Sequence, residues 1–471
     1  MDQSCRSFLD DLARDGEVLD LVGPVALDYE LAAMIGLVDA GPAVRVARTD
    51  GSEFPVFANV LNSRTRIARA LGCLTRELSA RIARATTVRT PPVVVSHAPV
   101  QHTVLRAEDH EDLLALLPIP RFFERDSGRY LTAGLIVAHE PSTGHRNASY
   151  ARIKPLGDNR AFIGIAPNHH LMALAQEAAR QGRPLDVAIT LGAHPAIQLA
   201  SCLYLGLGDD ELDHAADLLG EPVRVVPGIT VDVHVPADAE FAIEARLHPD
   251  RPIEEGWVSE YHGMYEDYGA GLEVEITAIT HRRDARFQVI LPGLFSEHAL
   301  LGALPIGAGL VTALRAARID VADLAVTRAG GGRVDVVAAV RHLKPGAAKR
   351  AFFACWSAVS MIKQITLVDD DIDVWDDEHV HWARTARMRW DEDVLIVPDV
   401  ITDRNEPMNV GGLVTKIGMD ATCRPDRRRT GWHLALPPAD AVRAAARRLS
   451  AEHPGVVLDP GIGLAPLLER S

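Results

Sequence analysis

The sequence predicts a mixed α/β (α+β) protein of about three domains, and three observations carry that prediction. The chain has 471 residues, and a domain takes about 150 residues. Strand signals crowd the stretch from residue 129 to residue 300, with one helix among them. After residue 311 strands and helices alternate, as they do in an α/β domain.

The elements follow in order. Phe8, Leu9, Leu12, Val18 and Leu19 sit among charges, which predicts an amphipathic first helix capped by Ser7 before Asp10 and Asp11. Residues 41–61 alternate short apolar runs with Gly, Asp and Pro, as strands and turns do, and residues 63–85 return to helix. The Pro-rich, β-branched text of 86–105 reads as a connector and a strand. The segments YLTAGLIVAHE, ASYARIKPL, RAFIGIA, PLDVAITLG, VRVVPGITVDVHVP, LEVEITAIT and RFQVILPG read as strands of a barrel or sandwich, with a helix near His170–Gln181. Then come helix VTALRAARI, strands VADLAVTRAG and RVDVVAAVR, helix AAKRAFFACWSAVS, strand QITLVDDDIDV and a last helix, Asp440–Glu452. These divisions suggest domains over 1–110, 111–305 and 306–471.

Composition narrows the function. Apolar residues make up 47% and charged residues 24%, an ordinary globular balance that can fold without disulfide or metal staples. Lys and Arg number 49 against 64 Asp and Glu, a net charge of −15. Neutralising phosphates requires positive charge, so no nucleic-acid or membrane surface is expected; a small basic pocket for an acidic ligand remains compatible. The five cysteines form no CxxC pair, which argues against zinc knuckles and disulfide frameworks and for a reducing cytoplasm. The acidic start has no apolar signal region, and no apolar run is seen to approach about 18 residues, so neither signal peptide nor membrane span is expected. The Ala- and Arg-rich composition suggests a GC-rich bacterial genome, and from there specialised metabolism.

The chemistry-bearing segments are weak singly. Gly330–Gly332 lacks GxGxxG spacing and reads as a hairpin turn; no P-loop and no nucleophile elbow occur. In EPSTGHRNASYAR, Pro141–Gly144 is a turn and Asn147 and Ser149 share one face of a strand, with Arg152 on the other unless a bulge intervenes. An Asn oxygen suits Mg²⁺ or Mn²⁺, yet turn-plus-strand explains the segment as well. Asn168, His169 and His170 open a helix, where one imidazole can ligate while the other caps or faces solvent. Asp209–Asp213 clusters acids at a helix start, which the helix dipole favours anyway. Glu254, Glu255 and Glu260 crowd beside Trp257 and glycines; such carboxylates raise one another's pKa, as a general acid requires, unless the loop is simply solvated. Asp369–Asp373 ends a strand just after Lys363, and Arg427–Arg429 reads as a solvated basic loop.

Taken together, these segments resemble the UbiD family of decarboxylases over the whole chain. That family carries N-x-S-x-x-R, a histidine, a helix-borne glutamate and E-x-x-x-x-E in this order. Here they are Asn147–Ser149–Arg152, His169, Glu211 and Glu255–Glu260. EPSTG at 140–144, LGAHPA at 191–196, VDDDIDV at 368–374, HWARTAR at 381–387 and TKIGMDAT at 415–422 extend the likeness.

The resemblance implies an N-terminal α/β domain, a central split β-barrel that binds flavin, and a C-terminal α/β domain used for dimerisation, in a homodimer or higher homo-oligomer. It implies prenylated FMN, supplied by a separate flavin prenyltransferase, with Mn²⁺ at Asn147, His169 and Glu211 and a nearby K⁺. His170 is the alternative to His169. Ser149, Arg152, Asn168, Ser201 and Lys363 match the remaining cofactor-binding positions, with Lys363 on the phosphate. Arg152, Glu255 and Glu260 match the catalytic network, with Glu260 as general acid/base. The implied reaction is reversible, non-oxidative release of CO2 from an α,β-unsaturated or (hetero)aromatic carboxylic acid. Departures are Gly256–Ser259 where the family often has Pro-Phe-Gly, Asn168 where Gln is common, and Ser201–Cys202 where the family has serines. A non-catalytic flavin-binding subunit and a Mn²⁺-dependent hydrolase are the alternatives.

Overall fold

The computed structural model describes residues 2–423 and 434–453, with 458, 460–464 and 467–468. The basic run Arg427–Arg429 lies outside the described residues. The chain divides into two compact units, Met1–Pro305 and Ile306–Ser471.

The first unit opens with α1 (Cys5–Arg14), which buries Cys5, Phe8, Leu9 and Leu12 at helical spacing. Its cap is Ser4, whose Oγ accepts from Arg6 N–H, and not Ser7 as expected. Ser7 already lies inside the helix and returns its hydroxyl to Ser4 O. β1 (Val18–Val25), β2 (Ala43–Thr49) and β3 (Val56–Ala58) form a four-stranded sheet with strand Phe287–Val289.

The strand-rich middle forms an antiparallel sheet. Its strands are β4 (Leu135–His139), β5 (Arg146–Tyr150), β6 (Ile153–Gly157), β7 (Arg160–Ile163), β8 (Leu185–Leu191), β9 (Phe241–Glu254) and, past a short hairpin of β10 (Val258–Ser259) and β11 (Tyr265–Glu266), β12 (Ala270–His281). The order is β5-β4-β8-β9-β12-β7-β6, with strand Thr103–Arg106 added on β12. The two strands at the ends of this order, β5 and β6, are consecutive in the chain, with only Ala151 and Arg152 between them. Three Cα–Cα steps span at most about 11 Å. The sheet must therefore curl until its edges meet, which makes it a barrel split along one seam. Arg152 sits in that seam.

β9, the longest strand at 14 residues, is absent from the expected set. Its apolar alternation is interrupted by Glu244, which is fully buried because Ile229 N–H, Thr230 N–H and Thr230 Oγ donate to its carboxylate. Two helices flank the seam: α2 (His170–Arg180) and α3 (Glu211–Leu219) both pack on β5.

A second expectation is corrected by α4 (Ser296–Ala316), whose 21 residues are long and apolar enough to cross a membrane by length and composition. Polar Glu297 and His298 at its start, and Pro305 inside it, hide the run in the sequence. Its most apolar window is 67% buried within the protein, the environment of a core helix.

The second unit carries β13 (Asp320–Val326), β14 (Asp335–Arg341), β15 (Gln364–Asp369), β16 (Val394–Ile401) and β17 (Leu413–Asp420) in the order β13-β14-β15-β17-β16. The β13–β14 hairpin turns through Gly330–Gly332, where Gly331 and Gly332 take positive φ. α5 (Asp377–Arg387) contributes Val380 and Ala383 to a core with Val337, Val368 and Met419. A further helix spans Ala439–Glu452.

Candidate active site

Two groups of side chains assemble around β5, the seam and the β10–β11 hairpin. In the first, β5 turns Asn147 and Ser149 to one buried face. Asp210 caps α3 by accepting from Leu212 N–H, and this sets Glu211 as the first helical residue, facing β5. Asn147 Nδ2 donates to Glu211 Oε1 at 3.1 Å, and Ala148 N–H donates to Oε2 at 2.7 Å. Ser149 Oγ donates to Asn147 Oδ1 at 3.2 Å. Glu211 is 3% exposed, and burial pushes its carboxyl up to about 8 against the pull of these amides. Arg146, one residue before Asn147, pairs with Asp210 at 3.1 Å.

His169 caps α2, its Nδ1 accepting from Leu171 N–H at 3.4 Å. Burial pulls the imidazole down to about 4, so it is neutral at pH 7. It makes no hydrogen bond to Asn147 or Glu211 among the described residues. His170 lines a small hollow beside Asn147, with Glu140, His145, Arg146 and Asp209.

The second group centres on the seam. Arg152 Nε donates to Glu255 Oε1 at 2.5 Å and Nη2 to Oε2 at 2.6 Å, while Nη1 reaches Glu260 Oε1 at 3.2 Å. Glu260 Oε2 accepts from Tyr261 N–H at 3.2 Å. Glu255 is buried at 2% exposure. Burial opposes the charge on Arg152, but the bonds to Glu255 and the charge of Glu260 outweigh it and hold the guanidinium ionised. The guanidinium also lies over the Tyr268 ring, 5.3 Å from its centre. Burial, and then the Glu260 charge, push the Tyr268 phenol well above its ordinary value. Gly164 makes room for this pair: a Cβ there would stand 3.0 Å from Arg152 Cζ.

The other expected residues are placed elsewhere. Asn168 is exposed in the turn before α2. Ser201 is buried at the end of the short helix Pro195–Ala200 and donates to Ile197 O. Lys363 belongs to the second unit, where its ammonium pairs with buried Glu406 at 2.6 Å. Sequence reasoning missed Tyr268 and Lys154. The signal for Lys154 was faint: it lies two residues beyond Arg152, just inside β6.

A split barrel whose seam holds an arginine between two glutamates, beside an Asn–Glu pair, defines a carboxylate-rich enzyme site. Comparison with known proteins places it. The chain matches the 3-octaprenyl-4-hydroxybenzoate carboxy-lyase N-terminal domain over residues 9–86, the Rift-related domain over 93–295 and the C-terminal domain over 299–421. The chain belongs to the UbiD family and is a carboxy-lyase.

It is 31% identical over 418 residues to the anhydromevalonate phosphate decarboxylase of Methanothermobacter thermautotrophicus, covering 88% of this chain and 96% of that one. Among solved structures it resembles the UbiD-class enzyme HmfF of Pelotomaculum thermopropionicum in complex with FMN: TM-score 0.89, 34% identity, 94% of this chain and 99% of that one. It also resembles the apo 3,4-dihydroxybenzoic acid decarboxylase of Enterobacter cloacae: TM-score 0.87, 26% identity, 95% and 99% coverage. An evolved dimeric form of the same HmfF, solved with prFMN, matches with TM-score 0.86 and 32% identity over 94% of this chain and 100% of that one.

Proposed function

We propose that this carboxy-lyase catalyses the reversible, non-oxidative decarboxylation of an α,β-unsaturated or (hetero)aromatic carboxylic acid with prenylated FMN as cofactor, Glu260 serving as general acid/base. One observation carries the assignment of roles: Arg152 grips Glu255 through two bonds and Glu260 through one longer one. The two-point pair is a fixed, charge-neutral brace. Glu260, held by one Arg152 bond and by Tyr261 N–H on its other oxygen, both at 3.2 Å, is the more loosely held acid and can exchange partners and carry a proton.

Prenylated FMN, when bound, supplies the sink for the electron pair released as CO2 departs. The chain's residues do the rest. Glu255 fixes the plane of Arg152. Arg152 aims Glu260 and keeps positive charge where a substrate carboxylate must arrive. Glu260 delivers a proton to the carbon that loses CO2 and withdraws it in the reverse direction.

Asn147, His169 and Glu211 would hold Mn²⁺, with His170 as the alternative imidazole and K⁺ nearby. The donor set fits. An amide oxygen, a neutral imidazole and a carboxylate suit a hard-to-borderline dication. Glu211 is buried with amides as its hydrogen-bond partners, so a cation would supply the charge it lacks. Ser149, Asn168 and Ser201 complete the cofactor set by resemblance. By the same resemblance the protein is a homodimer or higher homo-oligomer and receives its cofactor from a flavin prenyltransferase; its cysteine usage fits a reducing cytoplasm, and its composition a role in specialised metabolism. The hydrolase and the non-catalytic reading have no support in the family match.

The test is protein co-produced with a flavin prenyltransferase and assayed for CO2 release from a panel of enoic and heteroaromatic acids. Turnover with flavin-like absorbance is expected, and Glu260→Gln keeps the absorbance and loses turnover. A fully active Glu260→Gln variant overturns the assigned role.

A further inference from the structure

The base of the loop that carries Glu260 is held by a buried lysine outside the matched motifs. Arg152 and Lys154 are two residues apart across the start of β6 and reach the same residue, Glu255, from one side. Arg152 takes its carboxylate. The Lys154 ammonium donates to its backbone oxygen and to Ser127 Oγ, the latter at 3.1 Å. Ser127 Oγ itself donates to Glu255 O at 2.6 Å and stands 2.9 Å from the Tyr130 hydroxyl. The same segment pins the rest of the loop: Ser127 N–H donates to Trp257 O at 2.7 Å, and Ser259 N–H donates to Asp126 Oδ1 at 2.9 Å.

Lys154 is 8% exposed. Its stem passes over Gly128, where a Cβ would stand 3.0 Å from Lys154 Cδ, and its ammonium lies 5.5 Å from the Phe162 ring centre. A lysine so enclosed is costly, and burial pulls its pKa down against the Glu255 charge. A neutral apolar chain of the same length would fill this slot at lower cost. What the ammonium adds is a charge-assisted hydrogen bond to the one carbonyl at the root of the acid/base loop.

We propose that Lys154 is a positioning residue for the reaction: it clamps the Glu255 backbone while Arg152 clamps the carboxylate, and so sets where Glu260 stands relative to substrate. The inference rests on the proposed acid/base role of Glu260. With Lys154 and Arg152 both gripping it, Glu255 cannot rotate without breaking a bond at one end. The five residues to Glu260 then start from a fixed point.

The test is Lys154→Met, which keeps the stem against Gly128 and Phe162 and removes the ammonium, made in the cofactor-loaded enzyme. Two readouts are taken. Amide hydrogen exchange of residues 255–263 should speed up about tenfold while the barrel strands exchange as in the parent. Turnover should fall about tenfold to a hundredfold in kcat, because small misplacements at the reacting centre are costly, with KM changed less than threefold and flavin absorbance retained. Unchanged loop exchange overturns the proposal, as does exchange that rises uniformly across the barrel, which would mean a purely stabilising role. Exchange needs no turnover. If Glu260→Gln is fully active while Lys154→Met still loosens the loop, the acid/base reading fails and the clamp stands.

Discussion

Arg152, in the barrel seam, and Glu255, just past the end of β9, form a two-point pair at 2.5 and 2.6 Å, with Glu255 excluded from solvent. Glu260 touches the same guanidinium once, at 3.2 Å. Truncating the two acids should therefore have different consequences. Glu255→Ala strands a largely buried arginine charge and should cost about 3 kcal/mol of stability. Glu260→Ala should cost about 1 kcal/mol or less, because the guanidinium keeps its stronger partner. Chemical denaturation of the two variants measures both; equal losses would show that the acids share the load.

Gly164 offers a test of geometry that leaves every charged group in place. A methyl there would press on Arg152 Cζ from 3.0 Å, so the guanidinium must shift by a few tenths of an ångström. Gly164→Ala should lower kcat about tenfold or more with little change in unfolding midpoint. Wild-type turnover in this variant would mean that the position of Arg152 is not critical.

The fold class was readable because most strands obey period 2 and the final third alternates strand with helix. The parts that were not readable have physical reasons. β9 hid because Glu244 occupies a core position, satisfied by Ile229 and Thr230, partners that no local pattern announces. The apolar α4 hid behind Glu297, whose buried carboxylate accepts from the N–H groups of Asn59, Val60 and Leu61. In the site, Arg152 and Glu255 are 103 residues apart, so motif order could suggest their meeting but spacing could not. Lys154 passed unnoticed because an isolated lysine in a strand normally reads as a solvent-facing residue.

The metal assignment turns on neighbouring histidines with different surroundings. His169 caps α2 and is held neutral by burial, whereas His170 lines the hollow beside Asn147. Manganese content of purified His169→Ala and His170→Ala proteins decides between them. The ligand variant should lose metal affinity by about tenfold or more, and the other should retain it. Glu211→Gln, which keeps at most one of the two amide contacts and removes the carboxylate, should lose manganese like the ligand variant. Full manganese occupancy in Glu211→Gln would remove Glu211 from the ligand set.

Acid stability should report on His194. Its Nδ1 accepts from Ala196 N–H at 3.1 Å and caps the short helix Pro195–Ala200, which only the unprotonated ring can do. Burial holds its pKa down to about 4 in the folded protein, against an ordinary value of 6.5. Between those values the unfolded chain binds the extra proton and the folded chain does not. Stability from this residue is thus fully present above about pH 6.5 and is lost as pH falls toward 4. At 1.36 kcal/mol per unit, the loss is at most about 3 kcal/mol. His194→Asn keeps an N-cap acceptor and cannot titrate. The parent should therefore lose stability relative to this variant between pH 6.5 and pH 4, and above pH 7 the gap should stay constant. Parallel denaturation curves across the whole range would show that His194 titrates alike in the folded and unfolded chain.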